Sequence, residues 1–366
     1  MSAAPTGSTP VPGADGTRVL SVRDLEVSFA TKRGRAHVVR GLDFDLHRGE
    51  TLAIVGESGS GKSVSTLALT KLLPIPPGRI DGSARLTGEG LGGGEGVDLL
   101  ALSERDLTGY RGRHVGYVFQ DPMTSLNPVH TIGRQLTEGM RHHLSLSERD
   151  ARDRAVELLE QVGIPGAAER LDDYPHQFSG GMRQRVVIAI GLSCDPEVLI
   201  ADEATTALDV TTQAQITELV GSLQEELGMA VVWITHDLGV VAGIADRIAV
   251  MYAGEVVEEA DADTLFADPR HPYTVGLLAS LPIVGEGAGQ HLASIAGLPP
   301  GPTDLPPGCA FHPRCGLRLD PRCETERPPL REVGPGHRVR SFYEVPDDDP
   351  HREPVRARVT GGEGEA

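Results

Sequence analysis

A phosphate-binding loop is the feature that most constrains this chain. Residues 56–63 read Gly-Glu-Ser-Gly-Ser-Gly-Lys-Ser and directly follow the apolar run Thr51–Val55. Glycines let backbone N–H groups approach phosphate oxygens, and the positive end of the following helix faces the same anion. Lys62 is predicted to reach the β- and γ-phosphates of a nucleotide, and Ser63 to ligate Mg²⁺. The predicted nucleotide-contacting residues of this segment are Gly56, Glu57, Ser58, Gly59, Ser60, Gly61, Lys62, Ser63 and Val64.

The alternative interpretation is a glycine- and serine-rich loop that contains a lysine by chance. Against it, a strand, the loop and an amphipathic helix occur in the order that phosphate binding requires. The apolar positions of that helix are Val64, Leu67, Ala68 and Leu72. The sequence therefore predicts a nucleotide site.

A second apolar strand ends in two carboxylates. Residues 198–203 read Val-Leu-Ile-Ala-Asp-Glu. Asp202 is predicted to hold Mg²⁺ through water, and Glu203 to polarise the water that attacks the γ-phosphate. Taken alone, these could be solvated acids at a strand end, but beside the phosphate loop they predict nucleotide hydrolysis.

Composition limits the class of protein. The chain has 366 residues, which suits one large domain with an appendage or two domains. No apolar run approaches the ~20 residues that cross a bilayer, and the N-terminus lacks the pattern of a secretory signal, so we expect a cytosolic protein. A formal charge of −18 has the wrong sign for a nucleic-acid partner.

The chain divides into four regions by composition. Residues 1–18 and 346–366 are predicted to be flexible tails. Between 19 and 268, short β-type runs alternate with helical patterns, which is typical of an α/β fold. Residues 269–345 are rich in proline and glycine and are predicted to form an irregular accessory domain. The β-type runs include residues 115–119, 198–202, 231–235 and 248–252.

Two helices within residues 19–268 have clear boundary signals. Ser147 and Asp150 form a predicted capping box ahead of an apolar-periodic segment. A second helix is predicted to begin near Thr212 and to stop at Gly228.

A second anion-binding helix start follows at residues 178–185, which read Phe-Ser-Gly-Gly-Met-Arg-Gln-Arg. This segment resembles the signature motif of ABC-type ATPases, with Met182 at a position often occupied by glutamine. In that family, two cassettes close head to tail, and each ATP lies between the phosphate loop of one and the signature helix of the other. The resemblance implies that Ser179, Gly180 and Gly181 contact the nucleotide bound by a second cassette.

Other positions match the family one by one. Gln120 matches a glutamine that assists catalysis and Mg²⁺ binding, and His236 matches the switch histidine that contacts the γ-phosphate. Asp209 matches the aspartate of the D-loop, and Phe29 the aromatic residue that stacks on adenine. With Lys62 and Glu203, Gln120 and His236 complete the implied catalytic set.

The resemblance implies a particular fold. We expect a P-loop NTPase ABC cassette of the α/β class, with a RecA-like core, an N-terminal antiparallel β-subdomain and an α-helical signature subdomain. A small irregular C-terminal accessory domain is expected to follow it.

Longer phrases resemble one branch of the family, the ATP-binding subunits of oligopeptide/dipeptide/nickel importers. They are Gln-Asp-Pro-Met-Thr-Ser-Leu-Asn-Pro at 120–128, His-Gln-Phe-Ser-Gly-Gly-Met-Arg-Gln-Arg at 176–185, His-Pro-Tyr-Thr at 271–274 and Gly-Cys-Ala-Phe-His-Pro-Arg-Cys at 308–315. Ala204 departs from the proline that is usual in the family. The implied function is ATP hydrolysis that powers peptide import, with nickel or another small solute as the alternative.

The same resemblance implies partners. These are a second cassette, two transmembrane permease subunits and an extracytoplasmic solute-binding protein, which would place the chain peripherally on the cytoplasmic face of the membrane. A soluble mechanoenzyme acting on ribosomes or DNA is a less favoured alternative, because the chain has neither tandem cassettes nor a long coiled-coil insertion.

Three of the four cysteines cluster in sequence at Cys309, Cys315 and Cys323. In similar proteins a fourth cysteine follows and a [4Fe–4S] cluster can form. Here Ser341 stands where that cysteine is expected. A cluster completed by Ser341, His337 or His312, a Cys₃His zinc site, and three reduced thiols without metal all remain open at this point.

Overall fold

The computed structural model describes residues 17–88, 91–92, 95–205, 208–281 and 295–346. The two predicted tails lie almost wholly outside these residues. The described strands are β1 (Arg18–Thr31), β2 (Gly34–His47), β3 (Thr51–Val55), β4 (Gly78–Leu86), β5 (Val97–Asp98), β6 (Val115–Val118), β7 (Val198–Asp202), β8 (Ala230–Thr235), β9 (Arg247–Tyr252), β10 (Glu255–Asp261), β11 (Leu330–Gly334) and β12 (His337–Arg340).

Helices connect most of these strands. The described helices are α1 (Lys62–Leu69), α2 (Glu104–Leu107), α3 (Pro122–Ser125), α4 (Ile132–His143), α5 (Glu148–Gln161), α6 (Ala167–Arg170), α7 (Gly180–Leu192), α8 (Val210–Leu227), α9 (Leu238–Val241), α10 (Ala262–Ala267) and α11 (Pro272–Ala279). Within this part of the chain, none of the helices combines the length and the apolar character needed to cross a bilayer.

The strands form two sheets. The first is antiparallel, in the order β2-β1-β4-β5, and the second has eight strands in the order β11-β12-β10-β9-β3-β8-β7-β6. Strands β9, β3, β8, β7 and β6 run parallel to one another. The predicted α/β fold with an N-terminal antiparallel sheet is confirmed.

Burial explains why the central strands are continuous apolar runs. Every residue of β3, β7 and β8 is buried. Parallel strands that are covered on both faces lack the alternating polar pattern of a half-exposed strand. Because β3, β7 and β8 run parallel, their carboxyl ends lie at one edge of the sheet.

Helices α4, α5 and α7 pack against one another, and their buried side chains share one core with α8 and with strands β6, β7 and β8. Buried side chains of these three helices include Leu136, Leu159 and Val187. Ser147 caps α5 by accepting a hydrogen bond from the backbone N–H of Asp150, as predicted. The expected helical subdomain, with the 178–185 segment at the start of α7, is therefore present.

The C-terminal region is partly irregular but also extends the main sheet. Strand β12 pairs antiparallel with β10, and β11 pairs with β12. Side-chain contacts reinforce this junction: Arg338 forms an ion pair with Glu259, and His337 Nε2 lies 2.8 Å from a carboxylate oxygen of Glu258. The pairing of β12 with β10 joins this region to the cassette by backbone hydrogen bonds. The sequence pattern did not predict strands β11 and β12.

Candidate active site

The phosphate loop depends on glycine at two close approaches of the backbone. Gly56 has a φ of +154°, and a Cβ there would lie 2.2 Å from the carbonyl oxygen of Met251. Gly61 has a φ of +101°, and a Cβ there would lie 2.6 Å from the carbonyl oxygen of Val38. Any larger residue would push the loop away from β9 at Gly56 or from β2 at Gly61.

Lys62 is folded back onto the loop. Its side chain is buried, and its Nζ donates hydrogen bonds to the carbonyl oxygens of Gly56 and Glu57, at 2.7 and 3.1 Å. Burial lowers the pKa of Lys62, while the carboxylates of Glu203, Asp202 and Glu57 act in the opposite direction. The ammonium group is thus held at the loop by carbonyl dipoles and acidic neighbours.

Ser60 supplies a direct test of whether the loop fits a polar ligand. Its Oγ is buried and has no hydrogen-bond partner among the described residues. A buried hydroxyl without a partner is costly, and a phosphate oxygen is a partner of the required chemistry. The loop therefore fits a nucleotide phosphate.

Ser63 and Asp202 meet across the gap between α1 and β7. The Ser63 hydroxyl donates to Asp202 Oδ1 at 2.8 Å, and the Tyr117 hydroxyl donates to Asp202 Oδ2 at 3.1 Å. Burial raises the pKa of Asp202, although both hydrogen bonds act to lower it. A hydroxyl and a carboxylate at this separation are ligands that Mg²⁺ accepts in phosphate-binding sites.

Tyr117 was missed by the sequence analysis. It lies on β6, where it pairs with Ile200 of β7, so its hydroxyl can reach the carboxylate at the end of β7. Burial raises the pKa of Tyr117, which keeps its proton available for donation to Asp202. Only the strand register, which the sequence pattern does not reveal, identifies it as a neighbour.

The side chain of Glu203 contacts two other predicted site residues, Gln120 and His236. Gln120 Nε2 donates to Glu203 Oε2 at 2.7 Å, and His236 Nδ1 lies 3.5 Å from Glu203 Oε1. Glu203 has a φ of +48°, in the left-handed region, and its N–H donates to the carbonyl oxygen of Ile234. Non-glycine residues are seldom held in this conformation, and those that are occur often at functional sites.

Two other predicted site residues, Phe29 and Asp209, lie outside the group of side chains around Glu203. Phe29 is half-buried on β1 against Gly78. Asp209 is the N-cap of α8 and accepts hydrogen bonds from the Thr212 N–H and hydroxyl, which hold its pKa below the ordinary range.

The signature segment is exposed and separate from the loop. Ser179 caps α7 by accepting from the Met182 N–H, and Ser179 and Gly180 both face solvent. Among the described residues, the segment 179–181 makes no hydrogen bond or ion pair to residues 56–63. The start of α7 is therefore exposed and is not bonded to the phosphate loop of the same chain within the described residues.

A metal site at the cysteines, which the sequence left open beside three metal-free thiols, is not supported. Within the described ranges, no three or more histidine, cysteine, aspartate or glutamate side chains are arranged to hold a metal ion. His337 Nε2 is engaged by Glu258 at 2.8 Å, and Ser341 Oγ accepts from the Tyr343 N–H at 3.2 Å. The Cys315 sulfur lies 3.1 Å from the Tyr343 hydroxyl.

Cys309 is partly buried near Cys323 and Cys315, and burial, with these two thiols acting in the same direction, raises the pKa of Cys309 to about 11. Because no metal-ligand arrangement is found among the described residues, an iron–sulfur cluster or zinc has no support here. No step of the mechanism is assigned to such a group.

The fold and the loop, carboxylate and signature segments together define an ABC-type ATPase. A family model described as "ABC transporter" matches residues 39–206, and one described as "Oligopeptide/dipeptide transporter, C-terminal region" matches residues 257–323. The chain belongs to this family of ABC transporter ATP-binding proteins.

Individual relatives agree with this assignment. The chain is 51% identical to the oligopeptide transport ATP-binding protein OppD of Bacillus subtilis (strain 168), over 93% of each chain. It is 49% identical to AppD of the same organism, over 88% of this chain and 96% of AppD. The fold resembles the ATP-binding cassette MJ0796, solved as a dimer bound to ADP and Pi, with a TM-score of 0.58, 27% identity and coverage of 66% of this chain and 98% of that one.

Proposed function

We propose that this chain hydrolyses ATP to power the import of peptides through a membrane permease. The observation that carries the proposal is the Glu203 cluster, in which a carboxylate at the end of β7 contacts both Gln120 and His236. The names of the two Bacillus relatives support peptides over nickel as the transported solute.

Nucleotide binding is assigned to the phosphate loop. Lys62 exchanges its carbonyl partners for the β- and γ-phosphates, and backbone N–H groups of residues 59–63 donate to phosphate oxygens. Phe29 stacks on the adenine. Ser63, Asp202 and Gln120 are the residues that would hold Mg²⁺, which supplies charge neutralisation at the phosphates when bound.

Hydrolysis is assigned to Glu203. Its carboxylate accepts hydrogen bonds, and its position beside Asp202 and Gln120 suits a general base that orients and deprotonates water. His236 is half-exposed beside Glu203 and contacts the γ-phosphate once the site closes. Before the γ-phosphate binds, the hydrogen bond from Gln120 holds the Glu203 side chain in position.

A second cassette completes each site. The exposed start of α7, with Ser179, Gly180 and Gly181, offers N–H groups to an anion held by a partner, because among the described residues it makes no hydrogen bond to the loop of its own chain. We assign Asp209, at the start of α8, to the same contact with the second cassette. A solved cassette of similar fold is a dimer, which supports closure of two cassettes around ATP.

Coupling to the permease is assigned to the segment after Gln120. Residues 122–128 follow the catalytic glutamine directly, and two apolar side chains in or next to this segment are unusually exposed, Met123 at 61% and Val129 at 73%. Apolar side chains left in solvent on a surface are suited to a protein partner. We place the chain peripherally on the cytoplasmic face, with two permease subunits and an extracytoplasmic solute-binding protein.

Uptake of a labelled oligopeptide tests this function. Proteoliposomes that contain the assembled importer, with ATP enclosed and the solute-binding protein outside, are expected to accumulate peptide. The same vesicles with Lys62→Ala are expected to accumulate none. Uptake of nickel but not peptide would contradict the substrate assignment, and equal uptake with Lys62→Ala would contradict the function itself.

A further inference from the structure

Glu57 places a carboxylate inside a loop that receives an anion. It is the second residue of the phosphate loop, and its charge is felt at Lys62, where it acts to raise the lysine pKa. A negative charge near the phosphates opposes their binding by Coulomb repulsion, and more strongly where the local dielectric constant is low. The loop therefore needs either a partner for Glu57 or a side chain that turns away.

Arg314 of the C-terminal region is that partner. Its two terminal nitrogens donate to the two carboxylate oxygens of Glu57, at 2.8 and 3.0 Å, and its side chain is only 6% exposed. The guanidinium also lies over the Tyr252 ring, 5.7 Å from its centroid. A bidentate pair of this kind fixes both the charge and the orientation of the carboxylate.

Tyr273, on α11, holds the backbone of the same residue. Its hydroxyl accepts a hydrogen bond from the Glu57 N–H at 2.9 Å. The ring is fully buried between Tyr252 and Phe311, with centroid separations of 4.7 and 5.4 Å. The hydroxyl therefore has little freedom to move. The C-terminal region thus fixes the backbone at Glu57, near the start of the phosphate loop.

We propose that Tyr273 and Arg314 form a C-terminal clamp that positions the phosphate loop for nucleotide. Arg314 neutralises and orients Glu57, and Tyr273 fixes the Glu57 backbone, so that the loop presents its N–H groups without an opposing charge. Both are positioning residues, and the C-terminal region becomes part of the ATP site. The inference rests on the proposed function of the loop.

Nucleotide binding to the purified full-length chain tests the clamp. Arg314→Gln leaves Glu57 charged and unpaired, and is expected to weaken ATP binding about tenfold, a change equivalent to one unpaired charge at intermediate dielectric. Arg314→Lys keeps the charge without the planar fork and is expected to recover part of the loss. Tyr273→Phe removes one hydrogen bond and is expected to weaken binding about threefold.

The double variant separates charge compensation from simple support. Glu57→Gln with Arg314→Gln removes the opposing charge and is expected to return ATP affinity to within about threefold of wild type. A purely structural arginine predicts instead that the double variant binds as weakly as Arg314→Gln alone, and that result would overturn the clamp.

The controls keep failure of the clamp distinct from failure of the site. Arg322→Gln changes an exposed arginine of the same region that pairs with Asp320, and is expected to bind ATP like wild type. Unchanged ATP affinity in a folded Arg314→Gln variant overturns the clamp alone. A wild-type chain that binds ATP no better than Lys62→Ala overturns the proposed site, and the clamp with it.

Discussion

At the scale of single residues, the chemistry of this site depends on which oxygen each proton donor faces. Ser63 and Tyr117 each donate to a different oxygen of Asp202. These bonds favour the ionised carboxylate, whereas burial favours the protonated one. Because burial prevails, the Asp202 pKa lies above that of an exposed aspartate. We therefore expect Asp202, the proposed Mg²⁺ ligand, to lose its charge at a higher pH than the residue type alone predicts.

Tyr117→Phe is predicted to move the acidic limb of ATPase activity toward neutral pH. Removing the donor raises the Asp202 pKa further, so the carboxylate protonates earlier as the pH falls. Half-saturation by Mg²⁺ is expected to need about three- to tenfold more metal. The Mg²⁺ dependence of ATPase activity in the assembled importer, measured at several pH values, checks this. Tyr110→Phe, in the turn between α2 and β6, is the matched control. Identical profiles for Tyr117→Phe and wild type would refute the assignment.

Residue identity alone could predict only part of the site. Lys62, Asp202 and Glu203 follow from short motifs because strand, loop and helix order fixes their positions. Tyr273 and Arg314 could not be predicted, because they lie more than two hundred residues from Glu57 in sequence. Their local patterns, His-Pro-Tyr-Thr and His-Pro-Arg-Cys, mark the branch of the family without indicating a contact.

At the scale of elements, buried runs and cap residues were the reliable signals. Strand β7 has the bounds predicted from its apolar run, and α8 ends at Gly228, which adopts the left-handed conformation. The start of α8 is two residues earlier than predicted, because Asp209 caps it. Strands β11 and β12 carry no period-two apolar pattern, so their pairing depends on the neighbouring β10 rather than on local sequence.

Asp209 is predicted both to cap α8 and to contact the second cassette, and two substitutions separate these roles. Asp209→Ala removes the α8 cap and is expected to lower the free energy of unfolding, whereas Asp209→Ser keeps an acceptor and is expected to leave it near wild type. Ser147→Ala, at the α5 cap, provides a benchmark of about 1 kcal/mol. Urea unfolding of each variant is the measurement.

The second role is contact with the partner cassette. If Asp209 also contacts the second site, Asp209→Ser lowers ATPase activity in the assembled complex despite its normal stability. Wild-type activity in Asp209→Ser would limit the residue to capping.

At the scale of the whole molecule, the C-terminal region and the cassette share one sheet and one buried charge network. Arg247 pairs with both Glu50 and Glu259, at 2.8 and 3.1 Å, and Arg338 of β12 joins the same network. An aromatic cluster of Tyr252, Tyr273 and Phe311 crosses the same boundary. We therefore expect the two regions to unfold together.

Phe311→Ala is predicted to destabilise the cassette although it lies in the C-terminal region. Truncating a buried phenylalanine costs about 3–5 kcal/mol. Trp233, the single tryptophan, is buried in β8, so its fluorescence reports on the cassette core. Denaturant titrations followed by Trp233 fluorescence should show a lower midpoint for Phe311→Ala. Leu319→Ala, at an exposed position, should not change the midpoint, and an unmoved Trp233 transition in Phe311→Ala would show that the regions unfold separately.

The central claim is that Glu203 is the general base of a hydrolytic ATP site. The most direct measurement compares ATP turnover and ATP affinity of the assembled importer carrying wild-type chain, Glu203→Gln or the control Glu218→Gln, an exposed change on α8. Glu203→Gln keeps the size of the side chain but removes its basicity. The predicted result is a loss of turnover of ~10²-fold or more with affinity preserved, and wild-type behaviour of the control. Near-normal turnover in Glu203→Gln would contradict the account.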